Sequence, residues 1–160
     1  MLKVKPVRQQ MGLSGPASLK MVLSYYGTEV TESELAEATN CTPEKGVEID
    51  DMRKGVEKYG YRGEVKDFAE FDDIKSSLEE GIPVIVAWFS EDDGHYSVVV
   101  DIDSENIRLI DPELGHVRAM KLEKFYRVWF VFPGEYIQRP SEVSVRKMLI
   151  IKPQTHHDNK

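Results

Sequence analysis

The sequence predicts an α+β fold in which N-terminal helices pack on a C-terminal antiparallel β-sheet. Two observations lead to this prediction. Apolar residues recur at helical spacing in the first half of the chain, whereas the second half contains short apolar runs separated by turn-forming residues. The 160 residues, 41% hydrophobic and 31% charged, are enough for one globular domain with a substantial core.

The helices of the first half are marked by their ends as well as by their apolar faces. A first helix begins with Pro16 in its opening turn and stops at Gly27. Thr31 followed by Glu34 is a capping-box pattern that opens a second, short helix. Two further amphipathic segments, each ended by a glycine, are residues 48–60 and 70–81.

The strands of the second half follow one another at short intervals. The first is a continuous apolar run suited to a buried strand, and the stretches between strands are rich enough in Asp, Gly, Ser and Asn to form hairpin turns. Antiparallel pairing is therefore expected. The predicted strands are residues 82–89, 95–102, 106–112, 116–122 and 128–133.

The end of the chain is less regular. Residues 147–152 are compatible with one more strand, and residues 153–160 with a frayed, flexible tail. We therefore divide the chain into a domain of residues 1–133 and a C-terminal extension of residues 134–160.

Composition excludes several classes of protein. A net charge of −7 argues against a partner that presents phosphates, so neither nucleic acid nor an anionic membrane surface is expected. The N-terminus has no apolar signal-peptide region, and the longest apolar run, residues 83–89, is too short to span a bilayer. A single cysteine excludes an internal disulfide and a cysteine-rich zinc site. We expect a cytoplasmic protein without metal or cofactor; its oligomeric state stays open.

Three separated features indicate one reactive site. Ser14 stands with Gly15 and Pro16 at a helix N-terminus, where the helix dipole and free N–H groups favour a developing anion. His95 begins a predicted strand, and Asp111 ends the next one. Because a short turn joins these two strands, the imidazole and the carboxylate are predicted to be cross-strand neighbours. Such a carboxylate can hold the tautomer and orientation of an imidazole.

The same segments resemble a known family. "SGPASLKMVLSYYG" is similar to the "CGPASLxMVLxYYG" segment of the papain-like, double-glycine-leader (bacteriocin-processing) cysteine peptidases and their stand-alone relatives. "GHYSVVVDID" resembles the histidine segment of that family, and "IRLIDPELG" resembles its Asp-Pro segment. The resemblance covers roughly residues 5 to 133 in the right order and implies a papain-like fold.

The resemblance also implies a role for each site residue. Ser14 occupies the nucleophile position, His95 that of the general base and acid, and Asp111 that of its orienting acid. Gln9 is the best candidate for the oxyanion-hole glutamine, with its neighbour Gln10 as the alternative.

The resemblance implies a peptide or protein substrate as the partner. Such relatives cut a leader peptide after two small residues, often glycines, and many form the N-terminal domain of an exporter. Gly15 and Gly94 flank the nucleophile and the imidazole, and we predict that they bind this substrate. The chain has no transmembrane run and no phosphate-binding loop motif, so we do not expect it to be the transporter itself.

A serine at position 14 predicts weak or absent peptidase activity. A thiol, with a pKa of about 8.5, can be ionised by an imidazolium and a helix N-terminus, whereas a hydroxyl cannot. In a site shaped for sulfur, a misplacement of about 1 Å can cost about a hundredfold in rate. Three explanations stay open: an introduced cysteine-to-serine exchange, a natural loss of activity, or a working serine nucleophile. The function is thus a cysteine-peptidase-type hydrolase or, alternatively, a non-catalytic peptide-binding pseudoenzyme.

Each of the three site residues also has a simpler interpretation. Ser14 alone is typical of a helix N-cap, and Asp111 before a proline is typical of a turn opener. His95 alone is typical of a polar residue at a strand end. Only their combined order and the resemblance favour a site.

Four other kinds of residue are interpreted as structural. Cys41 is predicted to be a semi-buried thiol rather than a nucleophile, because no histidine lies near it in sequence. Asp92 and Asp93 suit a solvated turn. The tryptophans are expected in the core, and the histidines outside the site do not indicate a metal. These residues are Trp88, Trp129, His116, His156 and His157.

Overall fold

The structure is a computed structural model that describes residues 1–91 and 93–154. It confirms the α+β class: helices from the first half pack on an antiparallel sheet. The α-helices in the described ranges are Ser14–Tyr25 (α1), Glu32–Thr39 (α2), Ile49–Gly55 (α3), Phe71–Glu79 (α4) and Leu122–Val128 (α5). The strands are Tyr61–Lys66 (β1), Val84–Ser90 (β2), Asp93–Ile102 (β3), Asn106–Asp111 (β4), His116–Lys121 (β5), Phe130–Val131 (β6), Ser144–Val145 (β7) and Met148–Pro153 (β8).

The main sheet has six antiparallel strands in the order β1-β8-β2-β3-β4-β5. A separate pair of short strands, β6 and β7, lies beside it. Strands β2, β3, β4 and β5 are consecutive hairpins, as the short intervals in the sequence predict. The candidate site residues His95 and Asp111 therefore lie on neighbouring strands.

Helix ends follow the predicted signals. The Thr31 side chain accepts the backbone N–H of Glu34, whose carboxylate accepts the N–H of Thr31, so the capping box of α2 is formed. The chain leaves α1 through Gly27 at φ 95°, a conformation that glycine adopts without strain. The capping box therefore marks the start of α2, and the glycine follows the end of α1.

Two apolar cores lie on opposite faces of the sheet. On one face, α1 buries Leu19 and Leu23 against Ile85 and Val98 of the sheet. On the other face, Trp88 and Trp129 pack with the side chains of α4 and α5, which confirms that both tryptophans belong to the core. Because β2 contributes to both cores, its continuous apolar run is buried on both sides.

The structure corrects the prediction for residues 128–133. Only Phe130–Val131 is strand; Val128 is the last residue of α5, and Trp129 is its C-cap residue. Phe125 and Trp129, four residues apart, are both fully buried, so helical spacing outweighs the local strand preference. Strand β1, which the sequence does not predict, forms one edge of the main sheet.

The possible strand at residues 147–152 corresponds to β8. This strand lies between β1 and β2 and hydrogen-bonds to both. The division into residues 1–133 and 134–160 therefore assigns one inner strand of the main sheet to the extension. The tail residues 155–160, including His156 and His157, lie outside the described residues, as does Asp92.

None of the helices in the described ranges is both long enough and apolar enough to cross a membrane.

Candidate active site

Ser14 is the first residue of α1, but it does not act as the helix cap. Leu13 occupies the N-cap position, and within the described part of the chain its side chain makes no capping hydrogen bond. The Ser14 Oγ instead accepts a hydrogen bond from the backbone N–H of Tyr96, at 3.2 Å. The side chain at position 14 is therefore directed to the residue that follows His95 on β3.

The start of α1 is held tightly against its surroundings. A Cβ placed on Gly15 would lie 2.4 Å from Val47 Cγ1, so only glycine fits without a shift. The Tyr96 hydroxyl donates to the carbonyl of Val47 at 2.8 Å. Burial of this phenol, then the nearby carboxylates and Cys41, raises the pKa of Tyr96 far above its ordinary value, so it remains a neutral donor. The loop carrying Val47 thus fixes the position of Ser14.

His95 and Asp111 form a buried pair. His95 Nε2 lies 2.5 Å from Asp111 Oδ1, and the two side chains are 7% and 1% exposed. Strand register accounts for the contact: Val98 of β3 pairs with Ile110 of β4, which brings the start of one strand beside the end of the other. The predicted cross-strand contact is present.

Asp111 is held by further donors. The backbone N–H of Glu113 donates to Oδ1 at 3.0 Å, and Arg118 Nη1 donates to Oδ2 at 3.2 Å. Burial alone raises the pKa of the Asp111 carboxyl, but the bonds from His95, Glu113 and Arg118 together hold it below its ordinary value. The carboxylate is therefore ionised and fixed, as an orienting acid requires.

The geometry leaves one imidazole nitrogen of His95 for chemistry. With Nε2 bonded to Asp111, Nδ1 is the remaining nitrogen. Among the hydrogen bonds of the described residues, Ser14 Oγ has one to the amide of Tyr96 and none to His95. The hydroxyl is therefore not paired with a base in this structure.

Gln9 lies in the loop before α1. Its backbone N–H donates to the carbonyl of Pro112 at 2.8 Å, which ties this loop to the turn after Asp111. Its side-chain Oε1 is buried and has no partner among the described residues. Gln10 is exposed, and its backbone N–H donates to Glu32 Oε2 at 3.0 Å. Of the two glutamines, Gln9 is the one whose backbone bonds to the turn directly after Asp111.

The other candidate residues lie nearby or apart. Gly94 is exposed, and a Cβ there would meet Val131 Cγ1 at 3.2 Å. Cys41 is buried, and burial raises the pKa of its thiol, so it does not have the ionised character of a nucleophile. Asp93 and His116 are exposed.

One arrangement resembles a metal site. Single ligand atoms of His95, Asp111 and Glu113 lie within 4.8 Å of one another. The His95–Asp111 hydrogen bond already uses two of these groups, and the absence of a metal ligand set stays an expectation from the sequence.

Three residues beside the site were missed by the sequence analysis. Tyr96 binds Ser14 through its backbone, Glu32 supports the glutamine loop, and Arg118 binds Asp111. A sequence signal exists only for Arg118: it stands two residues after His116, which pairs with Asp111, so alternation puts it on the same face.

The comparison with protein families agrees with this arrangement. The model of the peptidase C39 family matches residues 3–132. The chain belongs to the peptidase C39 family. The matched range contains α1 with Ser14 and both strands of the His95–Asp111 pair, and the resemblance to double-glycine-leader peptidases is confirmed.

Curated C39 relatives include both short and long chains. An uncharacterised protein of Methanothermobacter marburgensis is 36% identical over 121 residues, which is 72% of this chain and 76% of that protein. The lactococcin-G-processing and transport ATP-binding protein LagD of Lactococcus lactis is 29% identical over 148 residues, 86% of this chain but 20% of LagD. The chain therefore matches only a part of such transport proteins.

Solved structures confirm the fold. The peptidase domain of Streptococcus ComA, a bifunctional ABC transporter, has a TM-score of 0.74 at 21% identity, covering 95% of this chain and all (100%) of that domain. A double glycine motif protease from an AMS/PCAT transporter, solved with its leader peptide, has a TM-score of 0.72 at 22% identity, covering 96% of this chain and 94% of that one. At these identities the likeness establishes a C39 peptidase fold.

Proposed function

We propose that this chain is a peptidase-type hydrolase whose reaction centre consists of Ser14, His95 and Asp111, and that the serine leaves peptide-bond hydrolysis weak or absent. The observation that carries the proposal is the buried His95–Asp111 pair on β3 and β4, beside the residue whose amide binds Ser14. Membership of the C39 family supports this class of reaction.

The proposed reaction needs a nucleophile at position 14 and uses groups already in place. With a cysteine there, its thiolate attacks the peptide carbonyl, and the oxyanion binds to the Gln9 side chain and a backbone N–H at the start of α1. Nδ1–H of His95 protonates the leaving amine, and an acyl-enzyme remains at position 14. His95 then takes a proton from water while the water oxygen attacks the thioester carbon; the C–S bond breaks, the acid product leaves, and the thiolate and the protonated imidazole are restored. Asp111 holds the imidazole throughout.

Gln9 is preferred to Gln10 for the oxyanion role. The Gln9 backbone is bonded to the carbonyl of Pro112, directly after Asp111, and its amide oxygen is buried without a partner. An oxyanion accepts hydrogen bonds, so the group of Gln9 that would bind it is the side-chain Nε2–H rather than this oxygen, and the preference for Gln9 depends on its backbone bond beside Asp111.

The serine weakens the reaction for a geometric as well as an electronic reason. Its hydroxyl must lose a proton to His95 during attack, yet in this structure the oxygen is bonded to the Tyr96 amide. This bond also favours the second candidate function, a pseudopeptidase that binds an extended peptide in the same groove without cutting it. Cytoplasmic location and a peptide substrate with a small-residue junction are part of both proposals.

The test compares the unaltered chain with Ser14→Cys on peptides that contain a Gly-Gly or Gly-Ala junction. We expect Ser14→Cys to cleave after the junction and to be labelled at position 14 by a thiol-directed acyl electrophile. The control is Ser14→Cys combined with His95→Asn, which keeps the thiol and removes the base. If Ser14→Cys shows neither cleavage nor labelling, the peptidase proposal is wrong.

Two further measurements separate the alternatives for the unaltered chain. Binding of the same peptides without turnover, measured by calorimetry, supports the pseudopeptidase. Turnover together with reaction at Ser14 by a serine-directed phosphonylating reagent supports a working serine nucleophile instead.

A further inference from the structure

Arg118 holds the candidate catalytic carboxylate from the side opposite the imidazole. Its Nη1 donates to Asp111 Oδ2 at 3.2 Å, while His95 and the Glu113 backbone bind Oδ1. The Asp111 side chain is 1% exposed, and that of Arg118 is 34% exposed. A carboxylate this deeply buried needs a compensating charge, and within the described ranges Arg118 is the permanently charged residue bonded to it.

Arg118 also reaches the residue that packs on the imidazole. Its guanidinium lies 5.8 Å from the centre of the Trp88 ring, within the range of a cation–π contact. Trp88 pairs directly with His95 across β2 and β3, and the two rings meet edge-on at 5.8 Å. The Trp88 Nε1–H donates to Ser97 Oγ at 2.9 Å, which fixes the indole.

These contacts join four residues in a ring, and each residue comes from a different one of four neighbouring strands. Trp88 is on β2, His95 on β3, Asp111 on β4 and Arg118 on β5. His95 is thus held by two neighbours, Trp88 and Asp111, and Arg118 contacts both of them. A guanidinium suits this place because it is planar, permanently charged and able to stack.

We propose that Arg118 is a positioning residue that acts through Asp111 and Trp88 to hold the imidazole of His95 in its reactive orientation. The inference rests on the proposed function, because the orientation has a consequence only if His95 serves position 14. Without the guanidinium, the Asp111 carboxylate loses one of its fixed oxygens and can rotate away from Nε2.

Arg108 provides a matched control. It lies on the neighbouring strand β4, its side chain is also 34% exposed, and its Nη1 bonds to Asp101 and Asp103 at 3.4 and 3.0 Å. These partners are on the surface and away from His95, so Arg108 represents the purely structural contribution of such an arginine.

Other charged groups surround the pair and must stay constant in the experiment. A Glu113 carboxylate oxygen lies within 4.8 Å of a ligand atom of each member of the His95–Asp111 pair, and His116 pairs with Asp111 across β4 and β5. Arg8 contacts the turn after Asp111 at Gly115. None of them is altered in the variants below.

The first experiment measures the rate of alkylation by iodoacetamide as a function of pH in the Ser14→Cys protein. Modification at position 14 is assigned by mass mapping, which separates it from Cys41. We expect Arg118→Gln to lower the rate near pH 6 about tenfold, as a charge-assisted hydrogen bond is lost, and to move the acid limb to higher pH. Arg118→Lys should recover part of the rate, and Arg108→Gln should stay within about twofold of the parent.

A second experiment needs no chemistry at position 14. The ring-nitrogen resonances of His95 in the unaltered chain report the bond to Asp111, and we expect Arg118→Gln, but not Arg108→Gln, to shift them. Equal effects of the two arginine variants in both experiments would overturn the inference. If the Ser14→Cys thiol reacts no faster than a free thiol, the proposed function fails, and the resonances alone decide whether Arg118 orients His95.

Discussion

The Ser14 hydroxyl oxygen accepts the backbone N–H of Tyr96 at 3.2 Å, and Tyr96 directly follows His95 on β3. The start of α1 is therefore joined to the strand that carries the imidazole through a single backbone group. This donor belongs to the main chain, so it does not depend on the side chain at position 96. The arrangement places Ser14 beside the residue that follows His95, and in the described residues the hydroxyl has no bond to the imidazole.

The ionised state of Asp111 predicts a pH dependence of stability. The pKa of this carboxyl is lower in the folded chain than its ordinary value of about 3.9, so the folded state binds fewer protons in acid than the unfolded state. The stabilisation is present above this value and is lost as the pH falls through the folded-state pKa. We expect the free energy of unfolding to fall more steeply below about pH 4 in the unaltered chain than in Asp111→Asn.

Urea unfolding between about pH 7 and about pH 3 measures this difference. Glu113→Gln is the control, because it removes a neighbouring exposed carboxylate and leaves the backbone bond to Asp111 in place. If the free energy of unfolding depends on pH in the same way for the unaltered chain and for Asp111→Asn, the lowered pKa of Asp111 is contradicted.

The close approach of Gly15 to Val47, at the start of α1 beside Ser14, can be tested by substitution. Gly15→Ala puts a Cβ 2.4 Å from Val47 Cγ1, and we expect this overpacking to cost about 1–3 kcal/mol of unfolding free energy. Val47→Ala removes the obstructing methyl groups, so the double variant should recover most of that loss. A double-mutant cycle by urea unfolding measures the coupling, and strictly additive effects of the two changes would contradict the contact.

The helices and the hairpin strands could be predicted because their signals are local. The capping box at Thr31 and Glu34 and the apolar run from residue 82 each determine one element without long-range information. The His95–Asp111 contact was predictable as well, since a short hairpin brings those strand ends together.

What the sequence could not show depends on contacts between distant segments. Strand β8 lies between β1 and β2, and no periodicity reveals which strands will pair. Apolar β-branched and aromatic residues dominate residues 128–133 and predict a strand, but the burial of Phe125 in α5 and of Trp129 at its C-cap prevails. The Tyr96–Ser14 bond uses a backbone donor, which leaves no trace in residue type.

Glu32 and Glu34 allow a controlled test of what holds the loop that carries Gln9. Both stand in the first turn of α2, but buried Glu32 accepts the N–H of Gln10 whereas Glu34 caps its own helix. In the Ser14→Cys protein, we expect Glu32→Ala to lower the cleavage rate about tenfold or more, because the loop that carries Gln9, the proposed oxyanion residue, loses this bond and moves. Glu34→Ala should weaken the capping box of α2 and leave the rate unchanged. Equal cleavage rates for the two variants, measured with the same Gly-Gly peptide, would show that Glu32 does not hold the loop that carries Gln9.

Because β8 lies between β1 and β2 in the main sheet, we expect this C-terminal strand to be required for stability. Leu149 is fully buried (0% exposed) between β1 and β2, whereas Ile137, in the same C-terminal stretch, is 49% exposed. We expect Leu149→Ala to reduce the free energy of unfolding by about 2–5 kcal/mol, because it leaves a cavity in the core under α1. Ile137→Ala should change it by no more than about 0.5 kcal/mol. Urea unfolding of both variants checks this, and similar small losses would mean that β8 does not contribute to the main core.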